Sequence, residues 1–255
     1  MTSKIAIIGG TDVEKLAEVL RVRAVDLETP FGNAVVYLGE GELANLAFIT
    51  RHGGEHEIPP HQINHRANLR ALHQLDVERV VATFSVGSLC EQIAPGDLVA
   101  LDQFIDLSGR AVTFFDGAPE KVVHTDMTDP FCEGLRACLV EKVAATGLKV
   151  RPTGTYACMT GPRLETAAET RMLQVLGADV VGMTAAAETT LARELGLHYA
   201  ALGLAISWAG GMHGSGDVNR RAVAGIRSRI LPPILEALRS PELPPCSCRP
   251  RLPVR

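Results

Sequence analysis

Residues 178–207, "ADVVGMTAAAETTLARELGLHYAALGLAIS", decide the fold. The short apolar run 178–184 reads as a strand. The Ala-rich run 185–196 is helix former closed by a glycine. Residues 198–207 are apolar again and read as a second strand. A strand, a helix and a strand in that order make the unit from which helix-covered sheets are built.

The same alternation extends in both directions. Upstream, residues 4–10, 33–40 and 43–54 read as strands. Residues 59–77 carry Ile63, Ala67, Leu69, Leu72 and Leu75 at helical spacing, which predicts a helix starting after Pro60. Residues 79–88 form a buried strand running into a Gly-Ser turn, and 96–106 form the next strand. Residues 107–128 lack periodicity and read as a long loop, and a loop of that length in a compact domain is often functional. Residues 129–147 read as a helix with an Asp cap, an early Pro130 and a glycine stop. A strand over 149–160, a helix over 166–177 and a last helix over about 217–239 complete the pattern. The expected fold is a single α/β domain over 1–240, with a central mixed, twisted β-sheet flanked by helices. Residues 241–255, "PELPPCSCRPRLPVR", are Pro-rich and expected to be a disordered tail.

Composition narrows the function. The 255 residues are 46% hydrophobic and 21% charged, which is globular. The net charge of −4 offers no basic surplus for nucleic acid. No apolar run reaches the length of a membrane span, and "MTSKIAIIGGT" has no signal-peptide pattern, so a cytoplasmic protein is expected. The six cysteines include Cys246 and Cys248 as C-x-C; the spacing points to free thiols in a reducing compartment, with no metal.

Polar groups recur where strands end. Gly9-Gly10-Thr11 supplies backbone N–H groups and a hydroxyl; it serves either as a tight turn or as an anion cradle. Arg51 and His52 stand at the end of the third strand, and the Arg fork matches phosphate oxygens. Ser85 is either a capping residue or an anion ligand. Met183 and Thr184 end the strand 178–184, where Thr184 suits a helix cap and a phosphate contact equally. Ligands of α/β sheets gather at the carboxyl ends of strands, and the convergence of these four ends points to an anion site.

Several segments together resemble a known family. They are "IAIIGGT" (5–11), "TPFG" (29–32), "RHGGEHEIPPHQINHRANLRAL" (51–72), "GSLCEQIAPGDLVALDQFID" (87–106), "HTDMTDPFC" (124–132), "GPRLETAAE" (161–169) and "GMTAAAETTLARELG" (182–196). From about residue 4 to about residue 210 the chain is similar to the trimeric purine nucleoside phosphorylases, above all to their methylthioadenosine and methylthioinosine branch. The resemblance implies phosphorolysis, in which inorganic phosphate attacks the anomeric carbon and releases a free purine and a sugar 1-phosphate. Phosphate is then a co-substrate, and no other cofactor is implied. Carried over by motif, Thr11, Arg51, His52 and Thr184 would bind phosphate, with Ser85 beside it. Met183 would lie against the ribose. His124 would reach the sugar of a neighbouring subunit, which makes a homotrimer part of the site. Positioning and preorganised donors would supply most of the catalysis.

The resemblance also gives Glu165 a base-selecting role, because it follows the Gly-Pro turn. A 6-oxopurine has a hydrogen on N1 and wants an acceptor; adenine has a bare N1 that an ionised carboxylate would repel. Read without the resemblance, Glu165 is a helix-start carboxylate on the helix dipole. Adenine-specific relatives carry Asp-x-Asp after the last strand. Here the same place reads Ser207-Trp208-Ala209, which fits a carbonyl at position 6, and Ser207 would donate to N7 or O6. Ser207, Leu164, Phe84 and Ala187 are departures from the family pattern. The expected substrate is S-methyl-5′-thioinosine. The alternatives are an inosine/guanosine phosphorylase, a methylthioadenosine phosphorylase and a non-catalytic nucleoside sensor. Met212 and His213 represent two opposite expectations for the sugar's 5′ end, a methylthio pocket and a hydroxyl partner.

Overall fold

The computed structural model describes residues 4–9, 21–117, 122–213, 223 and 225–248. Its strands are β1 (Lys4–Gly9), β2 (Val22–Thr29), β3 (Gly32–Gly39), β4 (Leu46–Thr50), β5 (Val77–Ser88), β6 (Leu98–Ala100), β7 (Gln103–Asp106), β8 (Val150–Arg151), β9 (Thr155–Cys158), β10 (Val180–Gly182) and β11 (His198–Trp208). The helices described are α1 (His65–Gln74), α2 (Glu133–Ala145), α3 (Ala167–Val175), α4 (Ala185–Glu194) and α5 (Ile226–Leu238). All eleven strands join one mixed sheet whose main path runs β2-β3-β4-β1-β5-β10-β9-β7. Pairs β1–β4, β1–β5 and β5–β11 are parallel, whereas β5–β10, β6–β11 and β2–β3 are antiparallel. No described helix is long and apolar enough to cross a membrane.

Strand β1 shows why the sheet needs cover on both faces. Successive side chains of a strand point to opposite faces. Ala6 and Ile8 accordingly join one core with Leu69 and Leu72 of α1 and Leu191 of α4. Ile5 and Ile7 join a second core with Leu135 and Leu139 of α2 and Ile230 and Ile234 of α5. The 12-residue β5 is the pivot. It pairs with β1 through Arg79–Ala82, with β11 throughout Arg79–Ser88, and with β10 at Gly87 and Ser88. The polar ends of β4, β5, β10 and β11 meet in one cleft as a result.

Several elements differ from the sequence reading. Strand β2 was not anticipated; its charged, partly exposed residues conceal an edge strand that pairs with β3 across the Thr29–Gly32 turn. The helix expected after Pro60 begins at His65. Residues Pro60–Gln62 form a single tight turn, and the Asn64 side chain accepts from Ala67 N, which starts the helix there. Helix α2 is capped by Cys132, whose Sγ accepts from Leu135 N, and not by an aspartate. The strand expected over 96–106 is two strands. Leu101 N donates to Ala201 O while Asp102 accepts from Gly154 N, so the chain crosses from β11 to the β9 side of the sheet between them. Part of the tail also departs from expectation. Leu243, Cys246 and Cys248 pack against the second core, and Arg193 donates to Ser247 O at 3.2 Å.

Candidate functional site

A cleft of about 590 Å³ opens at these strand ends. Arg51, His52, Ser85, Glu165, Met183, Thr184, Ser207, Trp208 and Ala209 all line it. Thr11 lies outside the described residues. His124 is exposed and does not line the cleft of its own chain.

Arg51 follows β4, and its backbone N donates to Gly9 O of β1 at 3.0 Å. The side chain is 1% exposed. Nε and Nη2 donate to the two oxygens of Glu188 at 2.7 and 2.9 Å, and Nη1 donates to Thr83 O at 3.1 Å. The guanidinium also sits 4.3 Å from the centre of the Phe84 ring, which gives that unexpected phenylalanine a supporting role. Of the five N–H groups of an arginine, two are left beside the cleft once these partners among the described residues are served. Burial disfavours the charge on Arg51, but Glu188 overrides it and holds the guanidinium pKa above its ordinary value. Burial likewise pushes the Glu188 carboxyl up, and Arg51 together with His65 brings it well below the carboxylate range. The pair is therefore fully ionised, and a bidentate fork of this kind fixes the guanidinium plane.

Glu188 was missed by sequence reasoning, although a signal existed. Ala185, Glu188, Leu191 and Ala192 share the buried face of α4, and a glutamate within an apolar helical stripe is a buried charge that needs a partner. Tyr199 on β11 also donates to Glu188 Oε1, at 2.7 Å.

His52 lies next along the chain, and its Nδ1 is 2.9 Å from Ile58 O. A carbonyl only accepts, so Nδ1 carries the hydrogen and Nε2 is left as the acceptor. Burial, assisted by the neighbouring Arg51 charge and against the Ile58 hydrogen bond, lowers the imidazole pKa to about 4. Unfolded histidine titrates near 6.5. Between those values the unfolded chain binds a proton that the folded chain refuses, so stability falls as pH drops from about 6.5 towards 4. The urea midpoint of the wild type is expected to fall between pH 7.5 and pH 5. The fall should shrink in His52→Asn, and an unchanged slope would assign it elsewhere.

Thr184 holds the cap position of α4, yet its hydroxyl makes no capping bond, while its N–H donates to Tyr156 Oη at 3.2 Å. Thr184 is thus the cap residue by position, and its hydroxyl, free of any capping bond, stays available to the cleft. Met183, just before it, packs its Sδ against the backbone of Gly161.

Glu165 lies across the cleft before α3. The helix begins at Ala167, capped by Thr166, and a capping box ties Glu169 to Thr166 N at 2.8 Å. Arg163 binds the same Glu169 through both Nη atoms at 2.7 Å. The helix start is thus served by Thr166 and Glu169, and Glu165 stands outside it, half-buried, its carboxylate accepting from its own backbone N–H and from no other side chain among the described residues. Burial raises its carboxyl pKa. Ser207 follows an irregularity in the β5–β11 pairing and lies opposite Gly87. The turn after β11 is fixed by Ala209 N donating to Ser88 O at 2.8 Å. Gly210 then passes so close to the chain at Glu165 that a Cβ there would lie 2.5 Å from Glu165 O. Gly210→Ala is accordingly expected to displace Glu165. The KM for the nucleoside should rise about tenfold, the effect of losing about 1.4 kcal/mol of binding, with the KM for phosphate nearly constant. Equal changes in both would show a general disruption.

Met212 packs with Leu89, Leu173 and Val181. His213 Nε2 contacts Glu91 Oε1 at 2.7 Å, and its ring meets Trp208 edge-on. Neither residue lines the cleft, so neither expectation for the 5′ end is met by the described chain. Leu164 is 60% exposed at the cleft margin.

A model of the Phosphorylase superfamily matches residues 4–226. The chain belongs to that superfamily. This phosphorylase is 45% identical over 218 residues to the 6-oxopurine nucleoside phosphorylase of Pyrococcus furiosus, covering 83% of this chain and 82% of that one. It is 48% identical over 199 residues to the S-methyl-5′-thioadenosine phosphorylase of the same organism, covering 77% and 76%. Its fold also matches the methylthioadenosine phosphorylase from Schistosoma mansoni in complex with tubercidin. That match has a TM-score of 0.82 and 31% identity, over 92% of this chain and 90% of that one. Relatives named for different bases are thus about equally similar, and the choice between them falls to the residues of the cleft.

Proposed function

We propose that this phosphorylase converts S-methyl-5′-thioinosine and phosphate into hypoxanthine and 5-methylthioribose 1-phosphate. The observation that carries the base assignment is Glu165, a half-buried carboxylate in the cleft whose only partner among the described residues is its own backbone N–H, and which has no part in capping α3. An N1–H satisfies it, and a bare N1 does not. Serine at 207, without a carboxylate beside it at 209, suits a carbonyl rather than an amino group at position 6. Likeness to the S-methyl-5′-thioadenosine phosphorylases supports the methylthio group at the 5′ end.

In this reading Arg51, held flat by Glu188, and the hydroxyls of Thr184 and Ser85 bind phosphate beneath the sugar, with Thr11 joining them. His52 offers Nε2 to a protonated phosphate oxygen. Met183 backs the ribose, and charge developing on the base is met by Ser207, either directly or through water. The donors are placed before the reaction, and such preorganisation does most of the catalytic work. His124, exposed on the long loop, would complete the site of a neighbouring chain in a homotrimer.

The test is a panel of methylthioinosine, inosine, guanosine and methylthioadenosine, each with and without phosphate, with products separated by chromatography. Phosphate-dependent release of hypoxanthine from methylthioinosine, well above the other three, is expected. Faster turnover of inosine would move the assignment to a general 6-oxopurine enzyme. Faster turnover of methylthioadenosine would overturn the base assignment. Binding without phosphate-dependent release would make the chain a sensor.

A further inference from the structure

The far end of β11 carries a second constellation, unconnected to the cleft. Cys132 at the start of α2, His198 at the start of β11, and Cys246 and Cys248 in the tail bring one ligand atom each to within 4.8 Å of one another. His198 and Ser207 stand nine residues apart on β11, about 30 Å along an extended strand. Sequence spacing concealed the group because its members run from residue 132 to residue 248.

The distances have the scale of a tetrahedral metal centre. His198 Nδ1 is 3.4 Å from Cys132 Sγ and 3.6 Å from Cys246 Sγ. With Zn–S about 2.3 Å and Zn–N about 2.0 Å, the S···N edge of a tetrahedron is about 3.5 Å and the S···S edge about 3.8 Å. The widest separation present therefore needs to close by only about 1 Å. Three thiolates and an imidazole form a soft donor set that selects zinc over magnesium or calcium. We propose that Cys132, His198, Cys246 and Cys248 form a structural zinc site that clips the tail onto the body of the protein.

The surroundings fit a clip. The carbonyl of Pro244 lies against Gly134 in the first turn of α2, with no room for a side chain between them. Arg193 donates to Ser247 O and Oγ at 3.2 and 3.3 Å, and to Asp126 O at 3.3 Å. The tail is thereby tied to the loop that bears His124. Without a cation, the hydrogen bond with Cys248 and burial push the Cys132 thiol up to about 12. Zinc binding releases three thiol protons to solvent, takes the neutral Nδ1 lone pair of His198, and leaves a net charge of −1 on the centre. Arg193, on the residue between the two tail ligands, lies near that charge.

The experiment uses the full chain, isolated anaerobically and reduced, then loaded with zinc or cobalt(II) and dialysed. One zinc per chain by elemental analysis is expected. The cobalt form should show thiolate-to-cobalt charge transfer and tetrahedral d–d bands. In the double variant Cys246→Ser/Cys248→Ser, both should disappear, with phosphorolysis retained and the thermal midpoint no longer sensitive to a chelator. Zinc lost on dialysis, an unchanged cobalt spectrum in the variant, or a disulfide between any two of the three cysteines in the anaerobic protein would overturn the proposal.

Discussion

Glu165→Gln is expected to lower the preference for methylthioinosine over methylthioadenosine, measured as the ratio of kcat/KM values, roughly 30- to 150-fold. The figure corresponds to about 2–3 kcal/mol, the range for a buried hydrogen bond to a charged group. Two effects add. The amide is a weaker acceptor for N1–H than a carboxylate, so the 6-oxopurine loses binding. The amide also carries a donor, which a bare N1 accepts, so the adenine nucleoside gains. Size and shape barely change, and the capping box of Thr166 and Glu169 leaves α3 intact, so phosphate KM and thermal stability should stay near wild type. Acidification should produce a milder version in the unmodified enzyme. Burial already raises the Glu165 pKa, and a protonated carboxyl donates where the ionised form accepts. Selectivity should therefore decline as pH falls towards that raised pKa. A variant that discriminates as the wild type does would remove Glu165 from base selection.

The residues that the sequence revealed share one property. Arg51, His52, Ser85, Thr184 and Ser207 are polar groups at the ends of apolar strands, and strand ends are visible in a pattern of hydrophobicity. The ends of β4, β5 and β11 meet in space because those strands run the same way through β1, whereas β10 is antiparallel to β5 and brings Thr184 back beside the Ser85 region of β5. Glu165 was legible only through resemblance, since a carboxylate before a helix has an ordinary explanation. That explanation fails only when Thr166 is seen to cap α3 with Glu169 as its capping-box partner. The residues proposed to hold zinc were hidden for a different reason. Two belong to a Pro-rich tail that composition marks as unstructured, and the other two lie at the starts of α2 and β11, far away in sequence. Strand β2 escaped because an edge strand need not be apolar, and its alternation is diluted by Arg23, Asp26 and Glu28. The capping of α2 by Cys132 escaped because Asp129 is the stronger capping type, whereas the tertiary contact of Cys132 N with Tyr199 O sets where the helix begins.

Glu188→Gln should produce the largest loss of stability, about 3–5 kcal/mol in the free energy of unfolding by urea. A typical domain has only about 5–15 kcal/mol to lose, so the variant should unfold at markedly lower denaturant. The cause is not the missing attraction alone. Arg51 is 1% exposed and stays charged, so removing its counter-ion leaves a cation out of water with one neutral oxygen in place of two charged ones. Tyr199 and His65, both packed on the same carboxylate, lose their charged partner as well. Function should suffer separately. The fork holds Nε and one Nη2 hydrogen, Thr83 O takes one from Nη1, and the two remaining N–H groups are left to the cleft, so a guanidinium free to tilt binds phosphate less well. The KM for phosphate should rise while the nucleoside KM changes little. At the same concentration, phosphate should stabilise the variant less than the wild type, because stabilisation by a ligand falls as its dissociation constant rises. Glu188→Asp keeps the charge at a shorter reach and should recover stability more fully than phosphate affinity. If Glu188→Gln unfolded within about 1 kcal/mol of wild type with phosphate KM unaltered, the pair would be neither a structural anchor nor a positioning device, and the anion site would have to be sought in the other residues of the cleft.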